Sequence, residues 1–253
     1  MKKWVFVLGL VLSFNVRADC AEGVDTCGEC GTGCLWEKKG TDLTVIGVGE
    51  NAIMEGYSYT YTTQGDYASY KTTAPWGTDI TSINITGTLT NVGSYAFMGA
   101  RNVTSLNIGD SVTSIGSHAF CYLNDLSGEL KLPEGLISIK VQAFNGMALL
   151  TSVNIPSSVT YVGSRAFSNK TAKVYCDDSQ KQCDSLLFGS VDTGLNPDKL
   201  IKYTKDGDRY VLGGVKYRTL VDMQNNIPVK RIYTIDEANA VAGKTNTFSI
   251  RYR

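Results

Sequence analysis

An Ala-Phe pair recurs four times in this 253-residue chain, with its rings at Phe97, Phe120, Phe144 and Phe167 and spacings of 23, 24 and 23 residues. The surroundings recur in register. An aliphatic residue stands twelve positions before each ring (Ile85, Ile108, Leu132, Ile155), another eight before (Leu89, Val112, Leu136, Val159) and a third five before (Val92, Ile115, Ile139, Val162). Two positions ahead of the first aliphatic lies a partner: Ile83, Leu106, Leu130 or Val153. A period in the twenties means a solenoid of stacked coils, because one such unit cannot bury its apolar edge alone and does so only against the next.

Within each repeat, the apolar pair spaced by two reads as a short strand with both members pointing inward and the residue between them pointing out. The outward residues Asn84, Asn107, Lys131 and Asn154 then form a polar stripe on the sheet face. The next two aliphatics fill the core from a second side. Gly93, Gly116 and Gly163 are expected to allow a sharp corner, whereas the third repeat carries Lys140 and Val141 at its corner. The Ala-Phe pairs close the coils, and their rings are expected to stack as a ladder along the axis. Repeat lengths vary between each ring and the following strand, by nine, ten, nine and seven residues. Strands ~4.8 Å apart make a five-strand stripe only roughly 20 Å across. A stable protein contact needs ~800 Å² per side, so the stripe alone is too small for one.

Ile155-Pro156-Ser157-Ser158-Val159-Thr160-Tyr161-Val162-Gly163-Ser164-Arg165-Ala166-Phe167 resembles the BspA-like leucine-rich repeat of bacterial surface proteins, and Ser111 to Gly116 with Ala119-Phe120 resembles it equally. The opening is similar too: Leu35-Trp36, then Leu43-Thr44-Val45-Ile46-Gly47, then Ala74-Pro75-Trp76 just before the first repeat. The resemblance spans roughly residues 34–176. It implies a curved right-handed solenoid with a parallel β-sheet, and adhesion or ligand binding at a surface; it brings no catalytic residues with it.

Four zones are expected. Residues 1–18 read as a signal peptide: Lys2 and Lys3, an apolar run from Trp4 to Phe14 too short to span a bilayer comfortably, and a small residue, Ala18, at the cut. An uncleaved anchor is the rival reading. Residues 19–82 form a Cys/Gly-rich segment with little core potential (19–34) and a β-rich N-terminal cap with a hairpin turning through Lys39-Gly40-Thr41. Residues 83–176 are the repeats, and residues 177–253 a small C-terminal α+β module. In that module Ile201, Tyr203, Tyr210, Leu212, Val215 and Tyr217 mark strands joined by Asp206-Gly207 and Gly213-Gly214 turns. Thr234 and Glu237 make a capping box for a helix over 235–242, and 247–253 alternates as a strand does.

Export places the seven cysteines in an oxidising compartment, where disulfides prevail over thiolate chemistry. Cys176 and Cys183 are expected to close a small loop, holding Val174-Tyr175-Cys176 as a last strand. Cys20, Cys27, Cys30 and Cys34 make two bridges, with three connectivities open; metal or redox use of their Cys-x-x-Cys spacing is the alternative. Cys121 is left over as a buried thiol. His118, the only histidine, occupies the repeat position held elsewhere by Tyr95, Gln142 and Arg165, and reads as an exposed filler rather than a base. No nucleophile elbow, carboxylate dyad or cofactor motif stands out, so the chain reads as a non-enzyme without cofactor or metal.

Equal numbers of basic and acidic residues, 24 of each, argue against nucleic acid as a partner. Beyond residue 18 no stretch is long and apolar enough to cross a membrane as a helix. Tyr57, Tyr59 and Tyr61 alternate, which places three rings on one strand face as a candidate contact patch. The expectation is a secreted, periplasmic or cell-surface leucine-rich-repeat protein. Its partner is an extracellular protein or a surface glycan, and its candidate ligand residues are Asn84, Asn107, Lys131, Asn154, Tyr57, Tyr59 and Tyr61. The alternatives are a structural envelope component without a ligand, or a hydrolase with its site in the C-terminal module. Oligomeric state is left open.

Overall fold

The described residues open on an antiparallel meander. β1 (Thr26–Gly31) pairs with β2 (Cys34–Lys39), which turns through Gly40 at φ +58° into β3 (Asp42–Ile53). This computed structural model describes residues 20–64, 67–167, 172–188 and 192–229. The expected signal peptide (1–18), helix (235–242) and strand (247–253) lie outside the described residues. Disulfides join Cys20 to Cys27 and Cys30 to Cys34. Cys30 and Cys34 are buried in the main core, so the cysteine-rich segment contributes to that core, contrary to expectation. The β1–β2 pairing folds it back onto the sheet, and an oxidised pair packs there as an apolar group.

A hairpin of β4 (Tyr59–Gln64) and β5 (Tyr67–Thr72) follows. Next, β6 (Ser82–Val92) lies parallel to β3, from Asp42↔Ser82 to Ile53↔Asn91, and serves two sides of one coil. In later coils the two sides carry separate short strands. These are β7 (Ser105–Asn107) and β8 (Ser114–Ile115), β9 (Gly128–Leu130) and β10 (Ser138–Ile139), and β11 (Leu150–Ile155) and β12 (Tyr161–Val162), before β13 (Lys173–Asp177). The β6–β8–β10–β12 ladder is continuous and parallel. The other is interrupted: β7 pairs with β6, while β9 pairs with β11 and β11 with β13. Among the described residues no strand pairing joins β7 to β9. The single stripe expected from the repeat is therefore two pieces. The break coincides with the one ring-to-strand interval of ten residues, Phe120 to Leu130, where the neighbouring intervals are nine.

The rings stack as a ladder. Phe97–Phe120, Phe120–Phe144 and Phe144–Phe167 have centroids 5.2, 5.4 and 5.5 Å apart with planes within 11° of parallel. Trp76 adds a rung above Phe97 at 5.4 Å, and its Nε1–H donates to the Ala96 carbonyl at 2.9 Å. Backbone bonds run down the same column: the N–H groups of Phe97, Phe120 and Phe144 donate to the carbonyls of Ala119, Ala143 and Ala166 at 2.8, 2.9 and 2.7 Å. This side of the stack is unbroken where the strand side is open.

The corner glycines serve close packing rather than a special dihedral. A Cβ at Gly93 would stand 1.7 Å from the Glu55 carbonyl oxygen, one at Gly116 2.5 Å from the Ser94 nitrogen, and one at Gly163 2.6 Å from the Val141 nitrogen. The left-handed residue falls two positions later, on Tyr95, His118, Gln142 and Arg165, at φ +61°, +57°, +54° and +49°.

The stack closes on α1 (Cys183–Phe188), tied to β13 by the Cys176–Cys183 disulfide. Leu187 and Leu195 join the core there, and the Phe167 N–H donates to the Thr193 carbonyl at 2.9 Å. The chain divides into two compact units after Lys202, so residues 177–202 group with the repeats. β14 (Leu200–Asp206) runs across that division. In the second unit it pairs with β15 (Arg209–Leu212), and β15 pairs with β16 (Val215–Tyr217), both antiparallel. The single-turn helix α2 (Leu220–Gln224), not expected from the sequence, is capped by the Thr219 hydroxyl, which accepts from the Asp222 N–H at 2.9 Å.

Candidate functional site

Two surfaces of the first unit carry the candidate residues. On the strand face, the Asn107 side-chain amide donates to Asn84 Oδ1 at 2.9 Å and to the Ile85 carbonyl at 3.4 Å. These asparagines form a short ladder, so part of their hydrogen-bonding capacity is already used within the protein. Lys131 is exposed, on the far side of the break. Asn154 is 6% exposed and does not belong to an open stripe. It stands in register with Tyr175 of β13, itself buried. Burial raises the Tyr175 phenol pKa above its ordinary value, and Glu129 adds to the effect.

The second surface is aromatic. Tyr57 does not share a face with Tyr59 and Tyr61. It precedes β4 and sits half-buried, edge-on to Trp76 at 5.2 Å and 74°. Burial pushes its phenol up to about 12, with a smaller contribution from Glu55. Tyr59 and Tyr61 flank Tyr70 of β5, at 5.8 and 4.9 Å. The cluster continues onto the coils: Tyr59 meets Tyr95 at 5.3 Å, Tyr95 stacks on His118 at 4.9 Å and 14°, and Tyr70 stacks on Tyr122 at 5.6 Å and 20°. Six rings thus form one connected array, with Tyr59 and Tyr61 outermost at 43% and 53% exposure.

The solenoid holds this array in place. The Thr72 N–H donates to the Met98 carbonyl at 3.0 Å and the Tyr57 N–H to the Ser94 carbonyl at 2.8 Å. Gly99, at φ +82°, leaves room for the hairpin, since a Cβ there would fall 2.0 Å from the Tyr70 carbonyl oxygen. The lone histidine is part of this base rather than an exposed filler. Its Nδ1 is buried without a hydrogen-bond partner, and burial lowers its pKa against a smaller opposing effect of Gln142. Sequence periodicity had aligned Tyr95 with His118, but it carried no signal that the 57–72 insert would lie across them.

The cysteines are engaged structurally: six form the three disulfides, and Cys121 is buried, its thiol pushed up to about 12 by burial. Among the described residues no three His, Cys, Asp or Glu side chains gather in a metal-sized cluster, and no helix is long and apolar enough to cross a membrane.

These features define a leucine-rich-repeat solenoid that presents an aromatic surface. Residues 73–188 match the family described as BspA type leucine rich repeat region, in six copies, and this repeat segment belongs to it. Two solved structures are similar. One is a leucine-rich repeat protein from Bacteroides ovatus ATCC 8483, at 19% identity over 57% of this chain with a TM-score of 0.32. The other is a leucine rich cell surface protein from Faecalibacterium prausnitzii A2-165, at 18% identity over 75% of this chain with a TM-score of 0.29. The chain spans 42% and 59% of their respective lengths. No curated protein matches it.

Proposed function

We propose that this chain is an exported binding protein that engages an extracellular protein or surface glycan through the tyrosine array, as a non-enzymatic adhesion or recognition component outside the cytoplasm. One observation carries the reading: Tyr59 and Tyr61 stand exposed on a base of rings already locked by the coils. Rigid amphipathic rings lose little conformational entropy on contact and present both an apolar body and a polar hydroxyl. Three disulfides among the described residues suit an oxidising compartment. Asn84, Asn107 and Lys131 are a secondary contact surface in this reading, weakened by the mutual bond of the two asparagines.

The test is a pull-down from host and bacterial surface extracts, with a glycan array alongside, using the exported chain. Replacing Tyr59 and Tyr61 by alanine is expected to weaken a detected interaction by about 30-fold or more, the loss of ~2 kcal/mol typical of a contact hot spot. Asn107→Ala with Lys131→Ala is expected to weaken it less. An interaction indifferent to both pairs refutes the assignment. A screen without any ligand, together with retention on cells that depends on the C-terminal module, instead supports a structural envelope role.

A further inference from the structure

The interruption between β7 and β9 opens a slot of about 440 Å³, bounded by the β7 and β9 segments and by the loops through Asp110 and Leu126. It reaches the core. Leu106 holds the inward strand position whose equivalents Ile83, Leu130 and Val153 are only 1–2% exposed, yet Leu106 itself is partly exposed. Ile108 and Leu132, on either side of the slot, are each 7% exposed, whereas Ile85 and Ile155 at the same repeat position are at 0%. Both walls are strands three residues long, and among the described residues β7 has a strand partner on one side only. The widening is local, because the Phe120–Phe144 rung and the β8–β10 pairing still join the same two coils.

We propose that this slot binds an extended segment of another protein, about three residues long, which adds its backbone to the edge of β7 and places one apolar side chain over Leu106. Three features select this occupant. A strand edge offers alternating backbone donors and acceptors, which an extended peptide satisfies along its length and a sugar or flat ring does not. The partly exposed inward leucine calls for one apolar side chain at the central position. The charged residues of the lining are Asp110 and Lys131, exposed beside the two walls with opposite charges, and Glu129, half-buried on β9; the segment that fits therefore carries flanking side chains of both signs, basic towards Asp110 and acidic towards Lys131. The volume lies within the range of ~300–1,000 Å³ usual for small-ligand sites. The slot is separate from the tyrosine array and does not depend on it, although Asn107 and Lys131 of the secondary contact surface also line the slot.

The experiment selects from a library of short peptides displayed against the full exported chain and measures the selected peptides by fluorescence anisotropy. The expected consensus has a central apolar residue flanked by opposite charges. N-methylation of its backbone is expected to weaken binding by about tenfold or more. Leu106→Trp, which fills the slot, is expected to abolish binding without loss of thermal stability. The surface exchange Asp110→Lys with Lys131→Asp is expected to invert the charges of the selected consensus, and this arm does not depend on how well the tryptophan is tolerated. The proposal is overturned if no peptide is selected, if N-methylated peptides bind as well as their parents, or if the consensus ignores the charge exchange. It is also overturned if the chain itself forms a dimer that Leu106→Trp dissociates, since the occupant is then a second copy.

Discussion

Replacing Phe120 by leucine isolates the contribution of the ring ladder, because it keeps an apolar side chain at a fully buried position while removing both ring contacts. Those contacts lie at 5.2 Å to Phe97 and 5.4 Å to Phe144. Each aromatic pair is worth ~0.5–1.5 kcal/mol beyond area burial, so Phe120→Leu is expected to cost about 1–3 kcal/mol. Phe120→Ala adds a cavity and is expected to cost about 3–5 kcal/mol. Phe167 stacks on one ring among the described residues, at 5.5 Å, so Phe167→Leu should cost about half as much as Phe120→Leu. Urea unfolding followed by circular dichroism supplies the free energies. A double-mutant cycle then tests the arrangement itself. Phe120→Leu with Phe144→Leu should be coupled by about 0.5–1.5 kcal/mol, and Phe97→Leu with Phe167→Leu, three rungs apart, should add within ~0.5 kcal/mol. Equal costs at Phe120 and Phe167, or coupling as large between distant rungs as between adjacent ones, would falsify the stacked-ladder account.

Two further predictions concern groups whose chemistry the coils suppress, His118 and Cys121, and a third concerns the disulfide between β13 and α1. Burial lowers the His118 pKa below its unfolded value of ~6.5, so the unfolded chain takes up this proton first. The wild-type protein should therefore lose stability relative to His118→Gln as pH falls through about 6.5, with no further divergence below the folded pKa and a constant difference above about 7.5. Melting temperatures across pH 5–8 check this, and parallel curves for the two proteins refute it. Removing the Cys176–Cys183 bridge with a double serine substitution should cost ~2.5 kcal/mol in the chain-entropy account. A thiol reagent at pH 8 should find Cys121 unreactive until the chain is denatured, as its burial and its raised pKa of about 12 require.

The parts of the fold legible in the sequence were those that repeat. Each inward position was marked four times over, and stacking leaves such positions no other way to be buried. What lay outside the period was harder to read. Trp76 occurs once, so its place above Phe97 had no register to announce it, although Ala74-Pro75-Trp76 resembled the family's opening. Tyr57, Tyr59 and Tyr61 share a period of two, but β4 begins only at Tyr59, and Trp76 draws Tyr57 inward. Asn154 matches Asn84 and Asn107 in the repeat, and only the identity of the next rung, Tyr175, distinguishes its surroundings. The glycines at 93, 116 and 163 were legible as special but not for the right reason: the clash they avoid is with the backbone of the neighbouring coil, which one repeat read by itself does not contain.

The one irregular interval shows why a solenoid can carry a recognition slot without losing its continuity. The ten-residue interval between Phe120 and Leu130 coincides with the missing β7–β9 pairing, and β9 pairs with the coil that follows, with a register shift between Leu150 and Ser152. Had adjacent coils been joined by that strand ladder alone, the same insertion would have cut the stack in two. They are joined as well by β8–β10, by the Phe120 N–H bond to Ala143 and by the ring pair at 5.4 Å. Nearest-neighbour stability is a sum over the whole face between two coils, so opening one side forfeits only that side's share. It follows that deleting Ser127, which restores a nine-residue interval, should close the slot and strengthen the contact between the Phe120 and Phe144 coils together. The coupling of those two effects is what separates an insertion held open by the surrounding fold from a simple packing defect.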